Sequence, residues 1–529
     1  MTRMPQALPE QGRKSLTTGS KAMVSTSHPL VTQAALDVLR AGGNAVDAML
    51  TAMPLQHVVE PQMSTIAGGF AMLFWEAATG RSYLLNAELD HPRGAPMPRG
   101  YPASEHGVAE TSGQRIAVPG TVVGMRAAAE RFGTRSWDSY FAPAIAAAED
   151  GFPMYSFLYG EMAVGCDRLT HFESGRERYT PDGFLPPVGS IYRQPQLATT
   201  LRRIAEPDGA DWFQRGKFAR DFVDAVRTTG GHISVDDLAD YEARWDDPLR
   251  YRFGDDALLG GYPPVNGGLY TGYVLGVLER VGLDPSKPWI DSPGAMATIA
   301  RILGAADELI GRNCQDPRSI PVPIDLILSP EFLELQARLL SASVPHADLS
   351  LARASGESVR PDPHAAGSTD SNHIVIVDEA GNWLTMLHTV YGTPFGTGMV
   401  VRGVGVNSGN GFAGLPVGPG RRIVSPLTPV LVLRDGRPWL GVGTPGTANQ
   451  TIALLLVNIL HYGMSLESAI DAPRFRMLVP DGPRRGWDIG KLAHEDRIPV
   501  ETLQGLAHMG IETHSLGRYN WHSGSVQAV

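Results

Sequence analysis

Cysteine is nearly absent: the 529 residues contain only Cys166 and Cys314. These two lie far apart, with no second Cys or paired His beside either. That excludes a disulfide framework and a zinc cluster. An excess of positive charge is also lacking. The net charge is −10 at pH 7 and no basic stripe stands out, so the balance argues against a nucleic-acid partner. Long apolar runs are missing too, and none could span a bilayer. The opening MTRMPQALPEQGRKS is basic but lacks the roughly seven to fifteen apolar residues of a secretory leader. These absences lead us to expect a cytoplasmic chain with no membrane partner.

What is present is a composition able to bury a large core, with 43% hydrophobic and 19% charged residues. The 60 Gly and 41 Pro are spread along the chain and mark no clear linker, and no internal repeat is visible. The first half alternates helical and extended stretches. Val31 to Arg40 puts Ala35, Val38 and Leu39 on one face, Gly42 and Gly43 stop that helix, and Asn44 caps the next. Ser234 is a second N-cap, and further helices are expected around Ala127–Arg131, Phe218–Thr228, Leu269–Val281 and Ala300–Ile310. Residues 341–370 have no aromatic side chain and no sustained period, and read as a flexible segment.

The stretch after that segment is its opposite. Ser371–Asp378 is apolar and β-branched, Glu379–Asn382 is a turn, and Trp383–Thr389 is a second strand, which together make a β-hairpin. With the turn centred near Ala380 and Gly381, facing residues have numbers that sum to about 760, so Ser371 lies across from Thr389. Both faces of the first strand are apolar, as in a sheet held between two layers. The plainer alternative for Ser371 is a solvent-exposed serine at a strand start.

At this point the sequence resembles the γ-glutamyltransferase family of N-terminal-nucleophile hydrolases. The similar stretches run in order from Gly42–Ala48 and Ser64–Phe70 through Val118–Thr121, Pro263–Gly268 and His373–Asp378. They continue with Phe395–Gly398, Ser425–Pro429, Gly443–Gly446, Ala472–Phe475 and Gly524–Ala528. The resemblance implies an α/β, four-layer αββα sandwich made as a precursor that cuts itself. The cut would give a large chain, residues 1–370, and a small chain, residues 371–529, intertwined as one structural domain. A small-molecule substrate follows, with no cofactor and no metal, and a homo-oligomer is compatible with it.

Self-cleavage has a chemical purpose. A Ser or Thr hydroxyl needs a base to take its proton, and a new α-amino group, with a pKa of about 7.7–8, is such a base on the nucleophile itself. The family's nucleophile is the first Thr of a Thr-Thr-His run. Aligning His373 puts Ser371 at that place, with Thr369 as the alternative, and the family's second hydroxyl falls on Thr389. Gly443–Thr447 sits between a strand and a helix, where backbone N–H groups can stabilise an oxyanion. The family's Gly-Gly donors are matched by Gly446 and Thr447.

Ser425 matches the first of two family serines, and Pro426 replaces the second. The resemblance fails at the residues that hold a γ-glutamyl head. The family's Arg position falls on Pro92, with Arg93 beside it, its Asn position is Tyr391, and its acidic cluster is replaced by Gly409–Phe412 after Asn407. Arg93 is the candidate for a substrate carboxylate, Asn407 is a further binding candidate, and Tyr391 with Phe412 suggests a flatter, more apolar pocket. His57, His91, His388 and His522 show no metal-ligand spacing, and His388 alternates to the face opposite Thr389. Asp307 and Glu308 read as a solvated helix face. The expected activity is hydrolysis of an amide or related acyl bond in a small carboxylate-bearing substrate that is not γ-glutamyl. C–C bond hydrolysis of a ketone-bearing acid in a biosynthetic pathway, γ-glutamyl transfer, and a non-catalytic binding protein remain as alternatives.

Overall fold

The computed structural model describes residues 16–95, 109–341, 371–410, 418–478 and 491–529. The proposed flexible segment beyond Ser341, the alternative nucleophile Thr369, and Phe412 lie outside the described residues. Two β-sheets pack face to face with helices outside both, the αββα arrangement. The first sheet runs in the order Met23–Thr26, Ser371–Val377, Trp383–Thr389, Gly69–Glu76, Arg81–Ala87, Arg244–Asp246, with every pair antiparallel. The second runs Gln527–Ala528, Arg437–Gly443, Val430–Arg434, Asp256–Gly260, Leu249–Phe253. Each sheet mixes strands from both sides of residue 371, so the two halves of the chain share one fold.

Burial on both sheet faces explains the continuously apolar strands. Ile374, Ile376, Met386 and Phe70 pack outward on the helices Pro29–Arg40 and Ala45–Val59. Leu73, Trp75, Leu259 and Leu431 meet between the sheets, with Trp383 packed against them. The second sheet's outer face carries the helices Gly267–Val281, Pro293–Asn313 and Ala448–Leu456.

The helix starts follow the capping chemistry read from sequence. Asn44 forms a capping box with Asp47, and Ser234 forms one with Asp237. The helix expected around Ala127 spans Thr121–Phe132, and the next spans Lys217–Thr228. Asp307 departs from expectation: its carboxylate accepts a hydrogen bond from Gln450 Nε2 at 2.8 Å, so it ties two helices together instead of facing only solvent.

Candidate active site

The hairpin register matches the count made from its turn: Ser371 pairs with Thr389, and Trp383 with Val377. Side chains on directly paired residues share a face, and this face looks toward the second sheet. A Cβ placed on Gly441 would lie 3.0 Å from Val375 Cγ2, and one on Gly443 would lie 2.5 Å from the His373 ring. Only glycine permits the second approach. Stepping back two residues along one strand, from Val375 to His373, thus moves forward two along the other, from Gly441 to Gly443. Continued by one more step, the same alternation directs Ser371 toward the turn Pro445–Gly446–Thr447, which follows the strand end at Gly443.

His373 is the wedge that fixes this geometry. Its Nε2 lies 2.6 Å from Thr385 Oγ1, and burial pushes its pKa down to about 3, so it is neutral. Gly446 adopts φ +81°, and Thr447 precedes the helix Ala448–Leu456 without a side-chain cap bond. The turn's backbone amides therefore lie at a helix N-terminus, at the Ser371 end of the sandwich.

The row continues across the first sheet. Thr389 pairs with Gly69, and the pairing of Phe70 with Ala87 brings Gly69 opposite Glu88. A Cβ on Gly69 would lie 2.9 Å from Glu88 Oε2, so the missing side chain leaves room for the carboxyl over Gly69, the residue paired with Thr389. Tyr391 donates its hydroxyl hydrogen bond to Oε2, Ser425 donates to Oε1 at 2.9 Å, and the two hydroxyl oxygens are 2.9 Å apart. Tyr391 reaches this position at φ +61°, a sparsely allowed conformation for a non-glycine residue, while its N–H donates to Thr389 Oγ1 at 2.9 Å.

Glu88 is fully buried, and burial pushes its carboxyl up to about 7 against the opposing pull of Tyr391, Ser425 and the Arg422 charge. Arg422 is already engaged: Nε bonds Asp90, Nη1 bonds Asn86, and Nη2 bonds the Glu242 carbonyl. Because the folded value lies above the ordinary 4.5, the fold keeps a proton that the unfolded chain loses. Stability should therefore fall as pH rises between about 4.5 and 7. In an uncut Ser371→Ala background, Glu88→Gln should remove about 3 kcal/mol of that decline, read from urea melts across the window. Identical pH slopes with and without Glu88 would show that its carboxyl ionises as freely as in the unfolded chain.

Two sequence expectations need correcting. Arg93 is turned to the surface, with Nη1 2.7 Å from Asp240 and Nε 3.7 Å from Asp237, and is not part of the Ser371 row. Asn407 is buried and its amide is fully used by backbone: Nδ2 donates to Ala67 and Ala117 carbonyls, and Oδ1 accepts from Ala117 and Gly409 N–H groups. It clamps loops together and has no hydrogen-bonding capacity left for a substrate. The Tyr391 hydroxyl joins Glu88 and Ser425, while Phe412, the other member of the expected apolar pair, lies outside the described residues.

Sequence reasoning missed Glu88. The signal was available, because the turn after Glu76 sets facing numbers near 157 in the hairpin Gly69–Ala87, which puts Glu88 across from Gly69. On the opposite sheet face, His388 Nδ1 lies 2.8 Å from His57 Nε2, and its Nε2 lies 2.8 Å from Gln56 Oε1. Among the described residues no group of three His, Cys, Asp or Glu could hold a metal ion, and no helix is long and apolar enough to cross a membrane.

The family model described as gamma-glutamyltranspeptidase matches residues 31–529. The chain belongs to the γ-glutamyltranspeptidase family. It is 28% identical to the glutathione hydrolase proenzyme of Bacillus subtilis (strain 168), over 98% of this chain and 89% of that protein. It is also 28% identical to the oxamate amidohydrolase proenzyme of Klebsiella pneumoniae subsp. pneumoniae, over 96% of this chain and 94% of that one. The solved cephalosporin acylase from Bacillus halodurans has the same fold, with TM-score 0.81 and 23% identity over 100% of this chain and 95% of its own. This γ-glutamyltranspeptidase relative is thus an N-terminal-nucleophile hydrolase.

Proposed function

We propose that the chain is a precursor that cuts itself before Ser371 and then hydrolyses an amide whose acyl part is not γ-glutamyl. The observation that carries this is the Ser371–Thr389 pair on the face that meets Gly441 and Gly443, the strand end that leads into the turn Pro445–Thr447. In the cut, Ser371 Oγ attacks the preceding carbonyl carbon, and the peptide nitrogen leaves as the new α-amine. Water then cleaves the resulting ester. In catalysis that amine takes the Ser371 proton, and Oγ bonds to the substrate carbonyl carbon. The Gly446 and Thr447 N–H groups hold the oxyanion, and the departing amine leaves with the proton. Water hydrolyses the acyl-enzyme and regenerates Ser371.

The family includes proteins named for different amides, among them the glutathione hydrolase and oxamate amidohydrolase proenzymes, so membership leaves the acyl group open. The reading that it is not γ-glutamyl is supported by the buried Glu88, which sits in the row where a glutamyl α-carboxylate would need a cation. The earlier expectation of a carboxylate on the substrate rested on Arg93 and loses its basis with it.

Thr389 orients the nucleophile in this scheme. Thr389→Val keeps the β-branched shape, so it should cost little stability while cutting turnover or processing by roughly ten- to a thousandfold. Unchanged single-turnover and processing rates would remove Thr389 from the mechanism.

A further inference from the structure

We propose that Glu88 is the specificity-determining residue of the cleft and binds an ammonium group on the acyl portion of the substrate. This rests on Ser371 being the nucleophile. Strands in a sheet lie about 4.8 Å apart, so a carboxyl leaning over Gly69, two strands from Ser371, is roughly 10 Å from it. That distance suits one small acyl chain.

The charge balance selects the chemistry. Arg422 is the cation nearest to hand, but its guanidinium is committed to Asp90, Asn86 and the Glu242 carbonyl. Glu88 is held by the neutral hydroxyls of Tyr391 and Ser425 and by the Leu89 N–H, with the Arg422 charge nearby but no ion pair made to it among the described residues, so its two oxygens keep at least one further lone pair. A buried acid without a cation of its own is stabilised by an incoming ammonium and repels a carboxylate. Ser371, Thr389 and Tyr391 are as covered as Glu88 in the uncut chain, so burial characterises the whole row and does not set Glu88 apart. The acyl side is the one that must be enclosed. Water has to replace the leaving amine for deacylation, so the leaving-group side opens to solvent and the acyl group keeps the buried end.

The test uses purified protein whose small chain is shown by N-terminal sequencing to begin at Ser371. It compares ε-aminocaproyl, caproyl and adipyl para-nitroanilides, which end in an ammonium, a methyl and a carboxylate. kcat/KM for the ammonium compound should exceed that for the carboxylate by at least about a hundredfold. Glu88→Gln should bring the ammonium compound down to the level of the caproyl compound, whereas Glu88→Asp, which keeps the charge, should retain a preference. Calorimetry with hexylammonium and hexanoate gives a second reading independent of turnover, and only hexylammonium should bind. Equal turnover of the ammonium and carboxylate compounds overturns the proposal, as does a preference that survives in Glu88→Gln. If no anilide is cleaved, failure of hexylammonium to bind overturns it. An uncut chain overturns the proposed function itself, whereas a cut chain that does not discriminate overturns only the role of Glu88.

Discussion

Purified protein should contain two fragments, of 370 and 159 residues, with the smaller beginning at Ser371. Ser371→Ala should remain a single chain and lose turnover altogether, because one hydroxyl serves both the cut and the later acyl transfer. Intact-mass measurement separates the outcomes cleanly. A small chain beginning at Thr369 would move the nucleophile two residues upstream and break the pairing with Thr389. An uncut chain that still turned over substrate would remove the α-amine from the mechanism. Thr389→Val and Ser371→Ala should also differ in kind: the first slows a step that still occurs, and the second removes the bond-forming atom.

Glutathione and γ-glutamyl anilides should be turned over at least about a thousandfold more slowly by the processed enzyme than an acyl amide that suits its cleft. A γ-glutamyl head brings a carboxylate and an ammonium together. Glu88 can receive the ammonium, but Arg422 is already committed and Arg93 is paired at the surface, so neither can receive the carboxylate. Placing Arg at position 92 and Asn at position 391 should recover a trace of γ-glutamyl activity at most, since Glu88 would still occupy the row. The measurement is glutamate released per processed site. Efficient release from glutathione by the unmodified protein would show that other residues hold the glutamyl head.

The hairpin that carries Ser371 and Thr389 was legible from sequence because its register is local. A turn at Glu379–Asn382 sets which residues face each other, and a slip of one residue would exchange the two buried faces of the strand. The caps at Asn44 and Ser234 were legible for the same reason, each depending on a side chain three residues on. Family motifs supplied the order in which such local pieces recur, and with it the αββα fold.

The substrate end of the site was set by contacts between residues far apart in the chain. Glu88 meets Tyr391 and Ser425 across 303 and 337 residues, and only because two separate hairpins lie side by side in one sheet. Asn407 is spent on Ala67 and Ala117, 340 and 290 residues away, which no spacing could reveal. Sequence by itself determined the strand of the proposed nucleophile Ser371, its pairing with Thr389 and the turn that follows the neighbouring strand, since turn geometry and alternation act over a few residues. Only the tertiary structure decided that the far end of the row carries an acid and not an arginine. The pairing of remote strands is selected by burying whole sheet faces, and that selection brought Glu88 inside and left Arg93 at the surface.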